Sequence, residues 1–237
     1  MAVDPRHPLA KALEAIAERV KGDTPAIRKL QAEVNRLASS AGQLDTVHRN
    51  RSPLDTEAAH ALKVAKLARQ YGSRVTEALN RGLGEWAVSR AELEQRIVEK
   101  INLKPDPKFA AEIRSVFRTV DGTKRLEMLG QFVKENRGPE LAAILEGPAF
   151  LTGISEEQKS AYRASMISTH AAAEQEELEA LDEAAEGFQI ANRTASNFAK
   201  ELTDPGRLAK IERDANAAAE ADLAFKQSLG LNDGPGA

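Results

Sequence analysis

The chain has 237 residues, 29% of them charged, with one Trp, two Tyr, seven Phe, no cysteine and a net charge of −3. Without cysteine there are no disulfides and no thiolate metal sites, which fits a reducing compartment. No apolar run approaches the ~18 residues of a membrane span and no signal-type apolar segment opens the sequence, so a soluble, cytoplasmic protein is expected.

Met1 to Pro8 reads as a flexible arm, because Pro5 and Pro8 exclude a regular helix before it. Leu9, Leu13, Ile16 and Val20 then share one face of a short amphipathic helix that Gly22 ends. Thr24 caps a second helix with Pro25 at its first position. Within it Ile27, Leu30, Val34, Leu37, Ala41 and Leu44 keep a heptad-like spacing, so the two helices read as a hairpin.

His48 to Pro53 is a polar, basic loop, and Asp55 is the expected cap of a third helix bearing Leu62, Ala65, Leu67, Tyr71, Val75 and Leu79. Lys63, Lys66, Arg69 and Arg74 are read along it as lacking opposing acids nearby, the best candidate contact for nucleic acid. A solvated basic face is the simpler reading, since single-strand binders add stacking aromatics and Tyr71 stands alone. Gly72, Gly82 and Gly84 loosen the backbone next. Ser89 and Glu92 then form a capping box with Val88 and Leu93 at the staple positions, predicting a new helix from Arg90 to about Asn102.

Lys104-Pro105-Asp106-Pro107 is the predicted domain boundary, dividing a basic helical region, 1–104, from an acidic one, 105–237. Up to residue 110 there are 19 Lys and Arg against 14 Asp and Glu; beyond it, 14 against 22. Short helices follow. Phe109, Ile113, Val116, Phe117 and Val120 form the most apolar face, then come Leu126, Leu129, Phe132 and Val133, then Leu141, Ile144 and Leu145. Phe150 and Leu151, in the apolar turn Gly147 to Gly153, are expected to seat the helix after them.

Ser155 to Leu202 contains no proline and one glycine, Gly187, and organises the second half of the chain. Ser155 with Gln158 forms a capping box at its start. It is either one rod, which at 1.5 Å per residue would reach roughly 70 Å, or two helices bent near Ala171 to Glu174. Leu178, Leu181, Ala185, Phe188, Ala195, Ala199 and Leu202 make a narrow seam, interrupted by Asn192, a polar residue that could set register against a partner. Glu176, Glu179, Glu183 and Glu186 belong to a dense acidic patch, either a solvated face or a docking strip for a basic partner. After Asp204-Pro205-Gly206, a last helix bearing Leu208, Ile211, Ala215, Ala218, Phe225 and Leu229 could fold back on this one. Gly230 would then stop it before a disordered tail.

Catalytic patterns are scarce. Glu57 and His60 have the Glu-x-x-His spacing of di-metal bundles, but His170 has Ile167 three positions before it, so the required second copy is missing. Gly82-Leu83-Gly84-Glu85-Trp86-Ala87 matches a dinucleotide fingerprint only formally, with no strand before it. No cofactor, metal or catalytic residue is therefore expected, and Trp86 reads as a core anchor.

The stretch from Asp106 to Glu183, short helices, then GPAFLTGISEEQKSAYR, then a long acidic helix, resembles uncharacterised helical proteins encoded among tailed-phage and prophage structural genes. That resemblance implies a virion or assembly role, such as a scaffold, head-associated or internal protein, in the host cytoplasm or the virion. The expected fold is an all-α, elongated arrangement of helical hairpins. Its expected work is non-enzymatic self-association or contact with other assembly proteins, through Leu178, Leu181, Phe188 and Leu202 as seam and Glu176 to Glu186 as docking face. A nucleic-acid-associated protein using Lys63, Lys66, Arg69 and Arg74, and a helical enzyme with an unrecognised site, are the alternatives.

Overall fold

The computed structural model describes residues 22–229, apart from the Arg207 side chain, together with Ala12, Leu13, Ala15, Ile16 and Glu18, which are helical. Among the described residues every regular element is a helix, so the protein is all-α. In chain order these are α1 (Pro25–Arg49), α2 (Glu57–Ile101), α3 (Ala110–Thr119), α4 (Gly122–Lys134), α5 (Gly138–Leu145), α6 (Ala149–Thr152), α7 (Glu156–His170), α8 (Ala172–Glu201) and α9 (Pro205–Ser228). The expected arm, the ends of the first helix, the Gly230 stop and the tail lie outside the described residues.

Two compact units interleave in sequence. The first takes in the described residues before 20, then 28–83 and 184–229; the second takes in 22–27 and 84–183. The proline-rich segment Lys104 to Pro107 lies inside the second unit, where it separates α2 from α3.

In the first unit α1, the leading half of α2 and the trailing half of α8 supply the core. Leu30, Val34, Leu37, Ala41 and Leu44 are buried along α1, and Val64, Ala68, Tyr71, Val75 and Ala78 along α2. The Tyr71 hydroxyl donates to the Leu37 carbonyl at 3.0 Å, and burial pushes its phenol well above the usual range. The sequence suggested a chain loosened at Gly72, Gly82 and Gly84; instead all three sit inside one 45-residue helix. The reason is packing. A Cβ at Gly82 would overlap the Phe188 ring of α8, and one at Gly72 would come within 3.6 Å of Ala199. Each helical glycine costs ~1 kcal/mol against alanine; Gly82 offsets this by seating a fully buried phenylalanine. Ser89 and Glu92 lie within this same helix, where backbone amides already have partners, so the expected capping box is not a helix start. The true start is capped by Thr56, whose hydroxyl accepts from the Ala59 amide at 3.1 Å. Asp55, the expected cap, belongs to the turn before it.

The second unit is built from bulkier pieces. Phe117, Leu129, Leu141, Ile144, Leu145, Met166 and Leu181 are all but fully buried in it. Every residue of the short helix α5 except Pro139 and Glu140 is buried, and the backbone of Ile101 and Asn102 approaches Gly138 so closely that no Cβ fits. Side-chain N–H donors close the helix ends. Arg125 donates to the carbonyls of Val120 (2.8 Å) and Arg118 (2.6 Å), buried Lys159 to Gly147 (2.7 Å), and His170 Nε2 to Val133. Phe109, Val116 and Leu126 are more exposed than their apolar spacing suggested. Phe150 is 85% exposed and seats nothing; Thr152 and Ile154 are the buried residues there.

Between Ser155 and Leu202 the chain is two helices. The capping box at Ser155 and Gln158 is formed as expected. The break is a single residue, Ala171, at φ −133 and ψ 27, buried and flanked by the bonded His170 ring. Past α8, Asp204 caps α9 and Leu208 is buried, while Ile211 is half-buried. Beyond that point the expected fold-back is not made: Ala215 and Ala218 are exposed, as are Phe225 (62%) and Leu229 (55%).

Candidate functional site

The residues expected to meet a partner divide into two groups. Leu178, Leu181 and Phe188 are buried in the chain's own core, and Leu202 is half-buried beside Phe198 and Leu208. A three-four apolar seam records that a helix has a partner, and here that partner lies in the same chain. Asn192 is likewise buried, its amide nitrogen donating to the Phe188 carbonyl at 2.9 Å and its oxygen left without a partner.

Glu176, Glu179, Glu183 and Glu186 are exposed on α8. Glu179 accepts from Gln175 at 2.7 Å, and the other three make no ion pair among the described residues. The remaining acids of the patch turn inward to α2 within the second unit. Lys100 meets Glu174 at 2.6 Å and Arg96 meets Glu177 at 3.2 Å. Asp182 accepts from Arg90 at 3.2 Å and from Trp86 Nε1 at 3.0 Å. Trp86 is therefore half-buried in a polar ladder, not an apolar anchor. The Lys100 bond holds the Glu174 carboxyl below the usual carboxylate range, against a burial effect of opposite sign. Exposed pairs such as Arg96–Glu177 contribute about 0.2–1 kcal/mol each.

Lys63, Lys66, Arg69 and Arg74 are all exposed along α2. Folding brings acids to two of them: Asp55 lies 3.9 Å from Lys63, and Glu77 3.2 Å from Arg74. Arg74 also rims a groove of about 530 Å³ between α1 and α2 that sequence reasoning missed. Arg36 and Arg81 share its rim, and Leu37, Leu44 and Leu67 lie along its floor. The signal was present in the α1 heptad spacing, whose flanking positions carry Arg36, Ser40 and Gln43.

His60 Nε2 donates to the His48 carbonyl at 3.1 Å, and His7 lies outside the described residues. Among the described residues no three His, Asp or Glu side chains converge as metal ligands. Gly82 to Ala87 are helical, so the glycine pair cradles no phosphate. Comparison with family models, curated proteins and solved structures returned no match to this chain.

Proposed function

We propose that this chain is a non-enzymatic structural or assembly protein of the virion-associated or scaffold-like kind, working through helix–helix and charge-mediated contacts with protein partners. The observation that carries this reading is α9. It is a 24-residue helix with no buried residue after Leu208, and Phe225 on it and Leu229 at its C-cap are 62% and 55% exposed. Most helical stability in a folded protein comes from a packed apolar face, so exposed Phe225 and Leu229 call for a covering surface. Among the described residues no helix is long and apolar enough to cross a membrane.

Sedimentation with light scattering over a range of protein concentrations tests the reading. The expected result is a mass that rises with concentration above the 25.7 kDa of one chain. A monomer at every concentration overturns self-assembly.

A second reading is favoured by one observation. Lys66 and Arg69 are exposed beside Lys63 and Arg74, and neither makes an ion pair among the described residues. If these residues hold nucleic acid, binding of a labelled oligonucleotide should fall steeply between about 50 and 200 mM salt. Binding indifferent to salt overturns that alternative.

A further inference from the structure

We propose that the arginine-rimmed groove between α1 and α2 receives the C-terminal half of α9 from a second copy of the chain, an inference that rests on the assembly reading above. The groove and the helix are complementary in both charge and polarity. Arg36, Arg74 and Arg81 rim a floor of Leu37, Leu44 and Leu67, and Arg81 makes no ion pair among the described residues. On α9, Ala218, Asp222, Phe225 and Leu229 follow one another at three- and four-residue steps and so share a face. That face offers two exposed apolar anchors with a carboxylate set among them.

The placement of Asp222 decides between possible occupants. Two α9 helices paired face to face would bring Asp222 into their own apolar seam, where a carboxylate is costly. Laid in the groove, the same carboxylate meets guanidinium groups while Phe225 and Leu229 cover the leucine floor, the helix-in-groove mode of recognition. The charges of opposite sense do not oppose this. Glu33 and Glu77 already pair with Arg36 and Arg74, and Lys226 with Asp222, in exposed contacts that exchange readily. The groove is long enough: Asp222 to Leu229 rises about 10 Å, and the α1 wall from Glu33 to Val47 about 21 Å. The apolar floor argues against a nucleic-acid strand, since Tyr71 is buried with its hydroxyl bonded and the groove's lining gives no other aromatic face for stacking.

The groove lies on one surface of the chain and α9 presents another, so the contact is heterologous; two copies exchange helices reciprocally or further copies extend the array. The test uses the full chain and measures association by sedimentation, with helicity monitored by circular dichroism. Phe225→Ala with Leu229→Ala, and separately Arg74→Glu with Arg81→Glu, should each weaken association at least about tenfold while leaving helicity unchanged. Adding Asp222→Arg to the arginine-reversed variant should restore much of the loss, a result that misfolding would not produce. Association unaffected by both pairs of substitutions overturns the groove contact while leaving the assembly reading intact. A wild-type monomer overturns both. Arginine reversal that abolishes oligonucleotide binding but leaves the mass unchanged overturns the groove contact in favour of a nucleic-acid ligand.

Discussion

The helices α2 and α8 contribute to both compact units, and they do so by different chemistry. In the first unit the contact is small and apolar, with Gly82 making room for Phe188 and Gly72 for Ala199. In the second unit the same two helices carry the polar ladder of Lys100–Glu174, Arg96–Glu177 and Arg90–Asp182–Trp86 beside buried Leu93, Ile97, Leu178 and Leu181. Small residues permit close approach but bury little area, so the fit at one aromatic ring matters greatly. Where bulkier residues fill the core, partly exposed ion pairs add little energy of their own.

The largest test of this contrast is Phe188→Ala. Removing a fully buried ring should cost about 3–5 kcal/mol in urea unfolding, as should Phe117→Ala in the second unit. The two sites should differ in how they can be rescued. Gly82→Leu alone should destabilise the chain by about 1–3 kcal/mol through overpacking, yet in the Phe188→Ala background it should cost far less because the cavity accepts it. Additive effects in that double-mutant cycle would show that the glycine is not a seat for the ring.

A smaller and signed comparison uses two other glycines. A Cβ on Gly138 would strike the carbonyls of Ile101 and Asn102, so Gly138→Ala should lose up to about 3 kcal/mol because backbone must move. A Cβ on Gly84 would meet nothing within 4 Å, and Gly84→Ala should gain about 1 kcal/mol from helix propensity alone. Thermal melts of the two variants should therefore shift in opposite directions.

The sequence carried much of this fold because local signals marked it. Pro25 and Thr24 start α1, Ser155 and Gln158 start α7, and the stripes through Val34 or Leu181 point inward. Gly82 was misleading because a helical glycine resembles a turn until the distant Phe188 is placed against it. The bend near Ala171 is one of the two readings of Ser155 to Leu202, but no proline or glycine decides for it, since burial and the His170 bond hold it. The acidic patch was visible, but which acids face α2 depends on register between helices far apart in sequence. The α9 stripe, Leu208, Ile211, Ala215, Ala218, Phe225 and Leu229, keeps the same three-four spacing as the packed ones but is weaker, with Leu223 exposed off its line. Periodicity shows that a helix has an apolar face, and it is silent on whether the chain itself supplies the cover.

Within the ladder, Asp182 should matter more than Glu177 because it holds two donors at once. Asp182→Ala leaves the half-buried Trp86 N–H without its acceptor, and about 1 kcal/mol should be lost. Arg96→Ala should lose less, and the two effects should be close to additive if the rungs act independently.

The smallest effect is the one tied to pH. Lys100 donates to Glu174 at 2.6 Å, and this bond, outweighing burial, holds the carboxyl below its ordinary value of 4.5. The folded chain thus binds that proton less readily than the unfolded chain does. Ionised Glu174 therefore adds stability that is complete above the unfolded value and drains away as pH falls through the lower folded one. Urea midpoints followed downward from neutral pH should show Glu174→Gln less stable than wild type at first, with the gap closing below about 4.5 as the wild-type carboxyl takes up its proton. Because Lys100 is half-exposed, salt should narrow the same gap at neutral pH. A gap that stays constant with both pH and salt would mean that the ladder positions helices by shape and not by charge.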